Sequence, residues 1–121
     1  MPSPDFTILY VDSPEKSGAF YRTLLGVDPV EASSTFVLFA LPNGLKLGLW
    51  SRHTVEPRAG AAGGEIAFTV DEAATVDTTY AAWSGRGLKM LQEPVDMDFG
   101  RTFVALDPDG HRLRVFCPGA E

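Results

Sequence analysis

Two histidines, His53 and His111, and one cysteine, Cys117, are the residues from which metal or nucleophilic chemistry would have to be built. A lone cysteine closes no intrachain disulfide and forms no redox pair, and two histidines are too few for a histidine-rich metal site. Neither histidine has a partner at i+4 or a neighbouring carboxylate in a recognisable acid-base motif. His111 follows Gly110 and reads as a surface turn residue, and His53, within Ser51-Arg52-His53-Thr54-Val55-Glu56-Pro57, reads as a loop residue. Cys117 precedes Pro118 and reads as a small buried hydrophobe. The sequence contains no Ser-His-Asp or Cys-His arrangement and no phosphate-cradling glycine loop. No catalytic residue and no metal ligand is assigned on these grounds, and no cofactor is expected.

Against this scarcity stand eight Phe, three Tyr and two Trp in 121 residues. With 45% hydrophobic and 21% charged residues the chain has the make-up of one ordinary folded domain, residues 1–121. Ten Lys and Arg against 16 Asp and Glu give a net charge of −6, which opposes a phosphate backbone or an anionic membrane. Nucleic acid and membrane are therefore not expected partners. Met1-Pro2-Ser3-Pro4 lacks a basic n-region, and the longest apolar run, Phe36 to Leu41, is far short of the roughly 20 residues of a membrane span, so a cytoplasmic location is expected.

The elements that must position these aromatics come in two copies. Phe6-Thr7-Ile8-Leu9-Tyr10-Val11-Asp12 leads into a helical pattern carrying Tyr21, and Glu65-Ile66-Ala67-Phe68-Thr69-Val70-Asp71 leads into one carrying Tyr80. Both Val11 to Val70 and Tyr21 to Tyr80 are 59 positions apart, and Pro42-Asn43-Gly44 recurs 66 positions on as Pro108-Asp109-Gly110. Each copy reads as a strand, a helix and three further strands. Ser13 caps the first helix with Pro14 at its first position and Gly26 past its end. Asp71 is the expected cap of the second, which Gly85 and Gly87 stop. The later strands are expected over 28–32, 35–41 and 45–50, then 88–93, 101–106 and 112–116, with the Pro-Asn-Gly and Pro-Asp-Gly turns joining the last two of each set. Module 5–57 and module 64–118 are joined by a hinge, 58–63, rich in Ala and Gly.

Two βαβββ modules give an α+β fold whose helices cover one sheet face. The other face is left to line a cavity, closed by the second module or by a partner subunit, with a curved mixed sheet around it.

Phe20-Tyr21 followed by Leu24-Leu25-Gly26, the paired modules and Asp107-Pro108-Asp109-Gly110 together resemble the vicinal oxygen chelate superfamily of glyoxalases, extradiol dioxygenases and bleomycin-type resistance proteins, over residues 5 to 118. Leu49-Trp50-Ser51, Glu93-Pro94 and Phe99-Gly100-Arg101-Thr102-Phe103 are similar to the phenazine (griseoluteate) antibiotic-resistance branch. The resemblance implies a glyoxalase/bleomycin-resistance-like fold. Metal-using members keep ligands at positions that fall here on Phe6, Gly48, Glu65 and Arg114. Phe and Gly cannot ligate and Arg presents only donors, so one carboxylate remains, too few for a catalytic divalent ion.

Those positions also set which strand faces point inward, since side chains alternate. Tyr10, Trp50 and Phe116 then lie at the pocket end of their strands, and Gly48 leaves room for a flat ligand to approach the backbone. Phe6, Phe20, Phe36, Phe39, Phe68 and Trp83 read chiefly as core. Arg114 requires a partner if it lies inside: Glu65, or a carboxylate on the ligand. Phe99 is expected at the pocket or at a dimer interface, while Asp96 and Asp98 read either as binding groups or as a solvated acidic loop. The expected ligand contacts are Trp50, Tyr10, Gly48, Ser51, Phe99, Arg101, Phe103, Arg114, Phe116 and Glu65. The resemblance implies a metal-free homodimer that binds and sequesters a small planar aromatic compound of the phenazine-antibiotic type. The alternatives are a glyoxalase-like or dioxygenase-like metal-dependent lyase or oxidoreductase, and a ligand sensor or partner module.

Overall fold

A computed structural model of the chain describes residues 5–56, 58–59 and 65–119. The chain divides into two compact units, Met1–Ala62 and Gly63–Glu121. Of the expected hinge over 58–63, positions 60–63 lie outside the described residues, as do the module boundaries at 57 and 64.

The first unit runs β1 (Phe6–Val11), α1 (Pro14–Leu25), β2 (Glu31–Ala32), β3 (Phe36–Ala40) and β4 (Lys46–Ser51), with sheet order β1-β4-β3-β2. The second runs β5 (Glu65–Thr69), α2 (Ala73–Gly85), β6 (Lys89–Met97), β7 (Gly100–Leu106) and β8 (Arg112–Pro118), with order β5-β8-β7-β6. In each, the first strand pairs in parallel with the last and the others pair antiparallel. The repeat is therefore one βαβββ topology used twice, an α+β fold with two four-stranded mixed sheets.

Local chemistry accounts for the boundaries. Ser13 Oγ accepts from Lys16 N at 3.2 Å with Pro14 opening α1, as the sequence requires. The cap of α2 is Glu72, one residue later than the expected Asp71, and no side chain caps it. Both Pro-X-Gly segments form the hairpin turns, with Gly44 and Gly110 at φ 92° and 86°. In the second turn the buried Asp107 Oδ1 also accepts from Asp109 N at 3.0 Å and His111 N at 2.7 Å. β2 is two residues long, shorter than expected. β6 runs on to Met97 through Pro94, which an edge strand tolerates because no neighbour needs its N–H.

Alternation sorts the side chains. Leu9, Val11, Val37, Phe39, Leu47 and Leu49 are buried on the face that α1 covers with Tyr21. In the second unit Val76 and Trp83 of α2 are buried together with Phe103, Leu113 and Val115 of the sheet. There Trp83 meets Phe68 and Phe103 edge-on at centroid separations of 5.5 and 5.4 Å, and Tyr80 meets Phe103 at 5.4 Å, geometry that adds about 0.5–1.5 kcal/mol per pair beyond area burial.

Candidate functional site

On the face of the first sheet away from α1, Phe6, Ile8 and Tyr10 are exposed at 42%, 43% and 41%, although all three are large hydrophobes in a regular strand. Register places Ile8 beside Gly48 and Tyr10 beside Trp50, with Phe36 on the far side of Trp50. Trp50 and Phe36 stand perpendicular, at 89° with ring centroids 6.2 Å apart. With Ile8 they line a recess of about 360 Å³, within the size range of small-molecule pockets.

The structure corrects two expectations here. Phe6 and Phe36 are not core residues: alternation puts them on the open face, and Phe36 lines the recess beside Trp50, as antiparallel pairing of the two would have signalled. Gly48 does not open the backbone to a guest, because a Cβ at that position would lie 2.9 Å from Phe36 Cζ and 3.0 Å from Phe6 Cε1. Its missing side chain makes room for the chain's own rings.

The corresponding face of the second sheet is polar at its centre and aromatic at one end. Arg114 Nε donates to Glu65 Oε2 at 3.0 Å and its Nη1 donates to Thr102 Oγ1 at 3.2 Å. The arginine side chain is only 19% exposed, so Glu65 is the partner that such burial demands. Phe99 lies with its ring centroid 5.6 Å from the Arg114 guanidinium carbon and 6.0 Å from the ring of Phe116, which it meets at 78°. Thr102, fully buried, was not foreseen in this cluster.

Ser51, Arg101 and Phe103, expected among the ligand contacts, lie elsewhere. Each is one residue out of phase with the open-face positions, so alternation turns it toward the helix. Ser51 is buried and its Oγ accepts from His53 N at 3.2 Å. Phe103 is fully buried against Tyr80 and Trp83. Arg101 donates from Nη2 and Nε to Asp77 of α2 at 3.0 and 3.1 Å, and from Nη1 to Asp96 at 3.0 Å. Its hydrogen bonds to these two carboxylates hold the guanidinium still more firmly in the charged form.

The histidines also find carboxylates. His111 is not a surface turn residue: its side chain is 11% exposed and its Nδ1 lies 2.9 Å from Asp107 Oδ2, four residues back, where it closes the turn. His53 Nε2 sits 2.7 Å from Asp12 Oδ1 at the exposed ends of β4 and β1, and that hydrogen bond, helped by the imidazole charge, holds the Asp12 carboxyl below its ordinary range. Cys117 is half-buried, its Sγ 3.6 Å from Pro118 O.

Residues 3–115 match the model of the Glyoxalase/Bleomycin resistance protein/Dioxygenase superfamily. The chain belongs to this superfamily. It is 29% identical over 119 residues to the phenazine antibiotic resistance protein EhpR of Enterobacter agglomerans, an alignment covering 96% of this chain and 92% of EhpR. A protein of Agrobacterium tumefaciens solved in solution by NMR is 61% identical with a TM-score of 0.91, over 99% of this chain and 100% of that one. A glyoxalase/bleomycin resistance protein/dioxygenase from Nocardioides is 26% identical with a TM-score of 0.83, over 98% of this chain and 84% of its own.

Metal-using members of the superfamily raise the question of a divalent ion. The four positions named above do not fit one. Phe6 and Gly48 carry no donor atom, Arg114 is cationic, and the Glu65 carboxylate accepts from that arginine at 3.0 Å. Among the described residues no three His, Cys, Asp or Glu side chains gather to hold a metal.

Proposed function

We propose that this protein binds and sequesters a small planar aromatic compound of phenazine type, without a metal, and protects against it by lowering its free concentration. The observation that carries the proposal is the perpendicular Trp50–Phe36 corner over a recess of about 360 Å³ on an open sheet face. A flat heteroaromatic guest stacks on one ring while presenting its edge to the other, the two arrangements that aromatic quadrupoles favour. Similarity to EhpR over nearly the whole chain supports the choice of phenazine. Each unit offers its own set of proposed contacts, Tyr10, Trp50, Phe36 and Ile8 in the first and Phe99, Arg114, Phe116 and Glu65 in the second; Gly48 acts within the first set by admitting the rings of Phe6 and Phe36.

Sequestration works by mass action, so protection requires protein in amounts comparable to the drug and no turnover. A cytoplasmic homodimer is part of the proposal, supported by the exposed apolar residues of β1 and by Leu91, Val95 and Met97 on the edge strand β6. No helix among the described residues is long and apolar enough to cross a membrane.

The Glu65–Arg114 pair makes the proposal specific. Because Glu65 already balances Arg114, phenazine-1-carboxylic acid and its amide should bind with affinities within about threefold of each other. Isothermal calorimetry with both compounds checks this. Saturable heat with near-equal affinities is the expected result. A preference of roughly tenfold for the acid would assign Arg114 to a ligand carboxylate instead, and no binding of either compound would overturn the proposal.

A further inference from the structure

Arg101 lies on the helix-covered face of the second sheet, yet it is tied to both elements that fix the position of the β6–β7 hairpin. Its guanidinium spans Asp77 on α2, through Nε and Nη2, and Asp96 on β6, through Nη1. A planar fork can hold two carboxylates in fixed directions, which a lysine ammonium cannot.

The β7 arm of the hairpin is paired with β8 along its whole length, from Gly100↔Pro118 to Leu106↔Arg112, and it is the β6 arm that needs such an anchor. The β6–β7 ladder shifts register between Met90 and Gln92 and again between Gln92 and Val95, so only Val95↔Thr102, Asp96↔Arg101 and Met97↔Gly100 form the ladder next to the turn. Register shifts bend a strand and loosen its coupling to the rest of the sheet. Asp98 and Phe99 make the turn, and Gly100 follows at φ 133°, where a Cβ would meet Cys117 O at 1.9 Å. Gly119 N donates to Phe99 O at 2.9 Å. The backbone thus docks on the end of β8 while the Arg101 bridge fixes the hairpin against α2. On the opposite face the same short ladder carries Thr102, which accepts from Arg114 at 3.2 Å, and delivers Phe99 to within 5.6 Å of that guanidinium and 6.0 Å of the Phe116 ring.

We infer that Arg101 is a positioning residue for the ligand site: acting from the far side of the sheet, it sets the hairpin so that Phe99 lies over Arg114 and against Phe116. This rests on the proposed binding role, since the Phe99–Arg114–Phe116 cluster is its point of action. It also gives a reason for an arginine on the helix-covered face to stand between Gly100 and Thr102.

The experiment uses Arg101→Met, Arg101→Lys and Asp96→Asn. Asp96 is 81% exposed, so its variant folds even if loss of the bridge to α2 destabilises the others. Ring-to-ring nuclear Overhauser contacts between Phe99 and Phe116, and the ring-current shift of the Arg114 Nε proton, are measured without ligand, with the Trp83 indole signal reporting the core. Phenazine affinity is measured in parallel. The inference expects the Phe99 contacts to weaken at least about twofold in all three variants with the Trp83 signal of Asp96→Asn unmoved, and phenazine affinity to fall about fivefold or more. Unchanged Phe99 contacts in Asp96→Asn and Arg101→Lys overturn it, as do lost contacts with unchanged phenazine affinity. Should the wild-type protein bind no phenazine, the binding proposal falls while the ligand-free contacts still decide the role of Arg101 in placing Phe99.

Discussion

Among single residues, Arg114 shows how a site without metal ligands is stabilised. A guanidinium this deeply covered requires a counter-charge, and Glu65 supplies it from the neighbouring strand, two residues out of direct register. That pairing was legible in the sequence because both residues occupy positions where relatives keep ligands and because an unpaired buried charge is expensive. The Asp107–His111 closure was not, since a glycine-containing turn ordinarily leaves the next side chain in solvent, and only the fold shows the carboxylate turned inward beneath it. The other histidine gives a prediction. The Asp12 carboxyl is held below its ordinary range by its hydrogen bond to His53. A depressed carboxylate contributes stability that is fully present above the unfolded-state value and is lost as pH falls through the folded one. Carboxyl-carbon NMR should therefore find Asp12 titrating below the ordinary aspartate range near ~4, and His53→Ala should return it there. An Asp12 midpoint indifferent to His53→Ala would contradict the assignment.

At the level of elements, alternation decides most of what can touch a ligand. The expected parity of β1, β4 and β8 agrees with the structure, so Tyr10, Trp50, Arg114 and Phe116 lie on open faces. The same rule turns Ser51, Arg101 and Phe103 toward the helices, although they stand in the family-like Phe-Gly-Arg-Thr-Phe and Leu-Trp-Ser stretches. A motif in a strand presents only every second side chain, and the other half of it packs beneath. Gly48 illustrates the converse, a position whose meaning depends on strands distant in sequence. Gly48→Ala would press a methyl group against Phe36 and Phe6. Both obstacles are ring ends that can rotate, so the variant should fold with a loss of about 1–2 kcal/mol, within the usual cost of overpacking. Chemical denaturation measures the loss. Trp50 emission should shift as Phe36 leaves its perpendicular position, and unchanged stability together with unchanged emission would show that the recess is not built as described.

For the whole molecule, the two-copy βαβββ architecture was readable from spacing alone, because turn chemistry and strand-to-helix transitions recur at fixed offsets. The two-residue β2 and the run of β6 through Pro94 were not, since strand ends depend on pairing partners that a linear pattern does not show. The aromatics differ in how far they are covered, and six of them, Trp50 included, are half-buried. Tyr21, Phe39, Trp83 and Phe103 are buried on the helix-covered faces, while Phe6, Tyr10 and Phe99 are exposed. Contiguous exposed apolar surface is a common feature of interaction sites, and the binding proposal draws on it. The most direct test exploits the different settings of the two tryptophans, Trp50 half-buried on the open face of the first sheet and Trp83 buried on α2. Intrinsic fluorescence is titrated with phenazine in the wild type, Trp50→Phe and Trp83→Phe. The account predicts saturable quenching in the wild type and in Trp83→Phe that is largely lost in Trp50→Phe; a flat titration of the wild type, or quenching that survives Trp50→Phe and vanishes with Trp83→Phe, would contradict it.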